Sequence, residues 1–160
     1  MTQNSSTELD RIDRRILSAL QRNARLANQD LADQLGLSAS ACWRRVRALE
    51  GDRVILRYAA VLDPQRIGLP VSVFTHVTLE KQGEKALQVF EAAIADWPEV
   101  MECYLMTGDH DYMMRVVVPD LAAYEQFLMR KLTRVPGIAS IKSSFALRAV
   151  RQRTELPIGA

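Results

Sequence analysis

The sequence predicts an α+β fold, in which a helix-turn-helix unit is followed by a ferredoxin-like βαββαβ unit. Apolar residues recur at helical spacing from Leu9 to Gly51, and beyond about Val54 they alternate or form short β-branched runs. A glycine turn at Gly36 joins two short helical segments, as in a helix-turn-helix. We therefore predict a helix-turn-helix domain at residues 1–52, a linking strand and hinge at 53–65, and a ferredoxin-like domain at 66–160.

The first helix is predicted from apolar residues that stand three or four positions apart. Asp10 is the expected N-cap, and Asp13 adds favourable negative charge to the first turn. The helix should end near Asn23. Its inward positions are Ile12, Ile16, Leu17 and Leu20.

Two further helices follow, separated by the turn at Gly36. The second is predicted at residues 29–35 with Asn28 as its cap, and Ser38 caps the third. At about 100° per residue, the third helix gathers apolar side chains on one face and polar ones on the opposite face. The apolar face holds Cys42, Val46 and Leu49, and the opposite face holds Ser40, Arg44 and Arg47, flanked by Trp43 and Arg45.

The polar face of the third helix is a candidate DNA-binding surface. A planar guanidinium can contact guanine O6 and N7 bidentately or hold a phosphate. An arginine-rich face is more often simply solvated, but here it follows a short helix and a glycine turn, the geometry of a major-groove helix. Whether Trp43 faces DNA or the core stays open. The candidate residues are Ser38, Ser40, Trp43, Arg44, Arg45 and Arg47.

The C-terminal part predicts a sheet with two helices. Strands are expected at residues 55–62 (the linking strand), 71–79, 100–106, 112–118 and 138–147, and helices at 84–95 and 120–132. After the linking strand, this is the ferredoxin-like order. The helices present apolar stripes that cover one sheet face: Leu87, Phe90 and Ile94 in the first, and Leu121, Tyr124, Phe127 and Leu128 in the second. The other face stays open and predicts self-association.

Composition and charge exclude several classes of protein. The 160 residues carry a net charge of only +2, but residues 1–60 hold ten arginines against seven acids, so the N-terminal part is the electropositive one. No uncharged run approaches the ~20 residues of a membrane span, and the polar N-terminus lacks a secretory signal. We expect a cytoplasmic protein, with Cys42 and Cys103 as reduced, buried thiols and with no metal site, cofactor or catalytic residues.

Several stretches together resemble the Lrp/AsnC (leucine-responsive, or feast/famine) transcriptional regulators, from Leu9 to about Ile158. They are Leu-Asp-Arg-Ile-Asp at 9–13, Leu-Gly-Leu-Ser at 35–38, Cys-Trp-Arg-Arg-Val-Arg-Ala-Leu-Glu at 42–50 and Gly-Asp-His-Asp-Tyr at 108–112. The tail Ser-Ser-Phe-Ala-Leu at 143–147, followed by Leu-Pro, looks like the branch that regulates branched-chain keto-acid dehydrogenase operons. The resemblance implies a winged-type helix-turn-helix, an effector domain, and dimers that assemble into octamers or related rings.

The loop at 108–112 is also a candidate amino-acid site. Its turn exposes backbone N–H groups, its aspartates offer negative charge to an ammonium, and neighbouring side chains form an apolar wall. Pattern alone favours a plain hairpin turn. The resemblance implies instead that this loop lines an effector pocket between subunits. The candidate effector residues are Leu105, Met106, Gly108, Asp109, Asp111, Leu121 and Ser143.

We therefore predict a sequence-specific DNA-binding transcriptional regulator whose assembly responds to a small amino acid, with leucine or another branched-chain amino acid as the first choice. One alternative is an effector-independent architectural DNA-binding protein. A second is an enzyme or metabolite sensor built on the ferredoxin-like half, but the sequence offers no nucleophile beside an orienting acid, and His76 is expected at a surface or interface.

Overall fold

This computed structural model describes residues 8–159, so residues 1–7 and 160 of the predicted domains lie outside it. The chain divides into two compact units, the first built from residues up to 61 together with the tail from 151, and the second from residues 62–150. The predicted limits were 52 and 66, with the tail in the second domain. The tail groups with the first unit because Ile158 packs against the core of that unit.

The first unit contains three helices, α1 (Arg11–Arg22), α2 (Asn28–Leu35) and α3 (Ala39–Gly51). The predicted cap of α1 is confirmed as a capping box: Asp10 Oδ1 accepts from Asp13 N at 2.8 Å, and Asp13 Oδ2 accepts from Asp10 N at 3.3 Å. The three helices share one apolar core. Its buried members are Ile16, Leu17, Ala19, Leu20, Leu31, Ala32, Cys42 and Leu49.

The turn between α2 and α3 has the predicted left-handed glycine. Gly36 has φ 68° and ψ 37°, a conformation that costs little without a Cβ, and Leu37 N donates to Ala32 O at 2.9 Å. The predicted Asn28 cap is wrong. Ala27 is the N-cap, and the Asn28 side chain instead donates to Ala39 O at 2.8 Å, which joins the starts of α2 and α3.

The predicted linking strand at 55–62 does not form in the described chain, and residues 56–63 are irregular. Val54 N and Ile55 N both donate to Leu49 O, so this backbone closes the end of α3 instead of extending a sheet. A strand also needs a hydrogen-bonding neighbour, and the described part of the first unit contains none. The wing that the resemblance implied is therefore not built from β-strands here.

The second unit is the predicted ferredoxin-like fold. Its strands are β1 (Val71–Leu79), β2 (Val100–Leu105), β3 (Tyr112–Val118) and β4 (Ile138–Phe145), and its helices are α4 (Glu84–Ile94) and α5 (Leu121–Arg130), with a 3₁₀ turn at Leu132–Arg134. The sheet order is β2-β3-β1-β4, and all neighbouring strands are antiparallel. The β2 and β4 strands end one and two residues earlier than predicted.

Strand alternation separates a helix-covered face from an open face. Val73, Thr75, Val77 and Leu79 are buried on β1, and Phe90, Tyr124 and Phe127 of the helices join the same core. Leu87, Ile94 and Leu128 are half-buried against it, but the predicted burial of Leu121 is wrong. Leu121 is 65% exposed at the first position of α5 and is not among the residues that pack against this core.

Both cysteines are free thiols, as predicted, but their environments differ. Cys42 is fully buried, whereas Cys103 is only half-buried on β2, which corrects the prediction for that residue. Burial raises the pKa of both thiols, that of Cys103 to about 11. Within residues 8–159, no helix is long and apolar enough to cross a membrane, and no group of three metal-ligating side chains is assembled.

We expect Leu132→Ala to lower the free energy of unfolding by about 2–5 kcal/mol, because this fully buried side chain would leave a cavity. The matched control is Met129→Ala in α5, where the side chain is 59% exposed and the change should stay within about 0.5 kcal/mol. Urea unfolding followed by circular dichroism measures both. Equal values for the two variants would contradict the assigned core.

Candidate functional site

Helix α3 presents its arginines on the side opposite the core. Cys42 and Leu49 are buried, whereas Arg44 and Arg47 are exposed. The two faces predicted from the helical repeat are therefore the two faces that the structure has. Trp43 is 56% exposed, so of the two alternatives left open for this residue, the core position is wrong.

Arg47 and Trp43 form a surface pair beside the end of α3. The Arg47 guanidinium lies 6.0 Å from the centroid of the Trp43 ring, and its Nη1 is 2.9 Å from Glu50 Oε2. The other Glu50 oxygen accepts from Tyr58 Oη at 3.0 Å. Burial, and then this hydrogen bond to a carboxylate, raises the pKa of Tyr58. Residues after α3 are thus fixed to the same side of the helix as Arg47.

Arg45 has a different environment from the other two arginines. Its Nη1 lies 2.7 Å from Asp10 Oδ2 and 2.8 Å from Asp13 Oδ1, the two carboxylates of the α1 capping box. These bonds raise the pKa of Arg45, while the Asp13 backbone N–H and then Arg45 lower that of Asp10. The guanidinium of Arg45 therefore joins α3 to the start of α1.

The two predicted serines are also used differently. Ser38 Oγ accepts from Ala41 N at 3.3 Å, as the predicted helix cap, and lies 3.3 Å from Ser40 Oγ. Both residues are exposed at the first turn of α3. Ser38 serves the backbone of its own helix, which leaves Ser40 as the hydroxyl on the same face as Arg44 and Arg47.

The loop between β2 and β3 holds most of the candidate effector residues. Leu105 and Met106 are 59% and 43% exposed, and Asp109 is also exposed. Gly108 has φ 116°, which a side chain would strain, so the glycine is needed for the turn. These four residues form one accessible patch at the end of the β2–β3 hairpin.

Asp111 lies in the same loop but does not share this exposure. It is 7% exposed, and its Oδ2 accepts from Leu79 N at 2.7 Å, while its backbone N–H donates to Val77 O. The carboxylate thus satisfies a buried donor at the end of β1. The ring of His110, the residue before Asp111, lies 5.0 Å from the ring of His76, which is half-buried.

Within one copy of the chain, Ser143 is far from Leu105, the candidate residue on β2. It lies on β4, at the opposite edge of the sheet from β2, and three inter-strand steps separate the two edges, roughly 14 Å. The Ser143 hydroxyl contacts Tyr124 Oη at 2.5 Å, and Tyr124 Oη contacts Thr75 Oγ1 at 2.9 Å. One copy therefore does not bring all seven candidate effector residues together.

Sequence reasoning missed a cavity of about 360 Å³ between α4 and β2. It includes Leu105 and is bordered by Glu91, Cys103 and Tyr112. Tyr112 Oη donates to Glu91 Oε1 at 2.8 Å, and burial followed by this bond raises the pKa of Tyr112. These residues come from separate elements with no motif between them. The register of β2 with β3 sets Leu105 opposite Tyr112, but nothing in the sequence places Glu91 of α4 beside them.

Two family profiles match successive parts of the chain. Residues 9–50 match the profile of the AsnC-type helix-turn-helix domain, and residues 72–156 match that of the Lrp/AsnC ligand binding domain. The chain is 52% identical over 151 residues to the Bkd operon transcriptional regulator of Pseudomonas aeruginosa, covering 94% of this chain and 99% of that protein.

Two further comparisons extend the likeness. The leucine-responsive regulatory protein of Escherichia coli is 36% identical, over 94% of this chain and 92% of its own. The crystal structure of a transcriptional regulator from Neisseria meningitidis in complex with L-methionine has a TM-score of 0.88 and 35% identity, and the match covers 93% of this chain and 96% of that one.

We expect Asp111→Ala to destabilise the protein by about 1–3 kcal/mol without any ligand, because the buried N–H of Leu79 would lose its acceptor. Asp109→Ala removes the same charge from the same loop at an exposed position and should be close to neutral. Thermal unfolding of the two variants measures the difference. Equal melting temperatures would show that the Asp111 carboxylate has no structural role.

Proposed function

This chain belongs to the Lrp/AsnC family of transcriptional regulators, and we propose that Arg44 and Arg47 of α3 contact bases in the major groove of its DNA sites. The family membership makes the chain a DNA-binding regulator that responds to an amino acid, and not an enzyme. The observation that carries the proposal is the orientation of α3 about its axis. Cys42 and Leu49 are buried, and the two guanidinium groups are exposed on the opposite face.

The other candidates take narrower roles in this proposal. Arg45 orients α3 through Asp10 and Asp13 and does not contact a base, and Ser38 caps the helix. Ser40 contacts a base or a phosphate from the first turn. Trp43 supports Arg47, whose guanidinium lies near its ring.

We propose that the effector is an aliphatic amino acid bound between copies of the chain. The loop patch of one copy, with Leu105, Met106, Gly108 and Asp109, meets Leu121 or Ser143 of another, because one copy separates Leu105 from Ser143 by most of the sheet width. Asp111 acts by holding the loop in place. The exposed Leu105, Met106 and Leu121 favour an apolar side chain such as that of leucine.

The relatives offer a second choice of effector. The similar regulator from Neisseria meningitidis was solved with L-methionine, which is apolar and close to leucine in length. Methionine is therefore the second candidate for this chain. Both ligands would use the same apolar patch, so competition between them is expected.

We propose that two copies pair through the open face of the sheet and that dimers assemble further, to octamers or related rings. Phe74 and Met113 are only half-covered on this face, Tyr104 is 50% exposed, and Arg115 pairs with Glu102 at 3.4 Å. Leu56, Val61 and Leu62 after α3 are 61–78% exposed. Apolar surface of this extent is typical of a protein that associates with itself.

Such an assembly acts on chromosomal DNA, so we place it in the cytoplasm.

We expect Arg44→Ala and Arg47→Ala each to weaken binding to a specific duplex by about 1–3 kcal/mol, because each removes a base contact. The duplex is first selected from a random pool with the wild-type protein, and gel-shift titration at fixed salt measures the affinity. Arg130→Ala, an exposed arginine of α5, is the matched control and should bind normally.

Two outcomes would contradict the DNA proposal in different ways. Unchanged affinity for both α3 variants would remove this helix from the interface. A ratio close to one between the affinities for selected and random duplexes would favour the alternative of an architectural protein that binds DNA without regard to sequence.

We expect leucine to raise the melting temperature and to shift the assembly state in sedimentation velocity. A ligand at 100 times its Kd adds about 2.7 kcal/mol to stability. Leu121→Asp should abolish both effects, because a carboxylate would replace the exposed apolar group, whereas Met129→Asp at another exposed α5 position should leave them unchanged. No response to any of the twenty amino acids would refute the proposed effector class.

A further inference from the structure

The C-terminal tail, residues 151–159, is docked on the first unit. The Gln21 side chain makes two hydrogen bonds to one tail residue: its Nε2 donates to Leu156 O at 3.2 Å, and its Oε1 accepts from Leu156 N at 2.6 Å. Ile158 packs against the core of the three helices. A paired amide contact together with an apolar anchor holds this segment beside the helix-turn-helix.

The docked tail adds exposed positive charge to the first unit. Arg151 and Arg153 are exposed, and neither forms an ion pair within the part of the chain that the structure describes. Residues 1–60 hold ten arginines and seven acids, a net charge of +3. The tail adds two arginines and Glu155, so the net charge of the first unit becomes +4. The second unit, residues 62–150, is left with a net charge of −2.

The tail and Arg47 border two neighbouring cavities of the first unit. A cavity of about 300 Å³ is bordered by Trp43 and Arg47, and a second cavity of about 620 Å³ is bordered by Thr154 and Leu156. Both are lined by Leu20, Ala24 and Tyr58. The two cavities therefore adjoin, so the cavity that the tail borders is next to the one that Trp43 and Arg47 border.

We propose that the docked tail contacts DNA phosphates through Arg151 and Arg153, beside the groove that α3 enters. The inference rests on the DNA-binding mode proposed above. The described first unit has no β-strand wing, so a basic segment from the far end of the chain takes the position of a flanking arm. Basic arms of this kind commonly extend the contacts of a helix-turn-helix along the backbone, where phosphates follow one another every few ångströms.

The test is the salt dependence of DNA binding by the full chain carrying Arg151→Ala and Arg153→Ala. Two lost phosphate contacts lower the slope of log K against log salt by about 1.8 for each bound protomer. Between 50 and 200 mM salt, the wild type then loses about 12-fold more affinity per protomer than the variant. The control pair Arg130→Ala and Arg134→Ala removes equal charge from the second unit and should leave the slope unchanged.

A second variant tests whether docking matters. Gln21→Ala keeps both tail arginines but removes one of the two anchors of the tail, and we expect a smaller fall in slope together with faster trypsin cleavage after Arg151 or Arg153. A slope for the tail pair equal to that of the control pair would overturn the proposal. So would an undiminished slope in a Gln21→Ala protein whose tail has become sensitive to trypsin.

The two proposals fail in distinguishable ways. Loss of phosphate contacts weakens binding to selected and random duplexes equally, whereas loss of Arg44 or Arg47 reduces the preference for the selected duplex. If the tail pair lowers the salt slope as expected but the α3 variants keep the wild-type preference for the selected duplex, the α3 assignment alone is refuted. If the α3 variants lose that preference but the tail pair leaves the slope unchanged, the tail proposal alone is refuted.

Discussion

The rotation of α3 about its own axis is the constraint on which the first unit depends. A 13-residue helix with five polar or charged side chains has no preferred orientation about its axis in isolation. Burial of Cys42 and Leu49 fixes the orientation of the helix about its axis. The ion pairs of Arg45 with Asp10 and Asp13 also fix this orientation, through the start of α1. Because those carboxylates also cap α1, the start of one helix and the rotation of another are set by the same few atoms.

In the second unit, a few residues likewise fix the loop between β2 and β3. The β2–β3 turn needs Gly108 to reverse the chain, and the Asp111 carboxylate then joins the end of that turn to the backbone of β1. Four side chains before this anchor stay exposed. A loop anchored at its end needs little further ordering on binding, which fits the effector site that we propose there.

Much of this arrangement could be predicted from the sequence. The cap at Asp10, the left-handed Gly36, the two faces of α3 and the order of the sheet all follow from local patterns, in which neighbouring residues decide the outcome. The errors share one cause. Asn28, the linking segment 55–62 and Leu121 each have the local pattern of a cap, a strand or a core position. Their environment depends on residues outside that pattern: Asn28 donates to Ala39 O, the backbone at the start of the linking segment closes the end of α3, and Leu121 does not reach the core.

The sequence by itself determined the family, the fold class and which helix face carries the arginines, since periodicity and short motifs contain that information. Only the tertiary structure decided how those arginines divide, with Arg45 paired to α1 and Arg44 and Arg47 exposed. It also decided that Asp111 serves the backbone, that Ser143 lies across the sheet from Leu105, and that the tail docks on Gln21. Each of these depends on a contact between residues far apart in the chain, and such contacts leave no local pattern for a sequence to reveal.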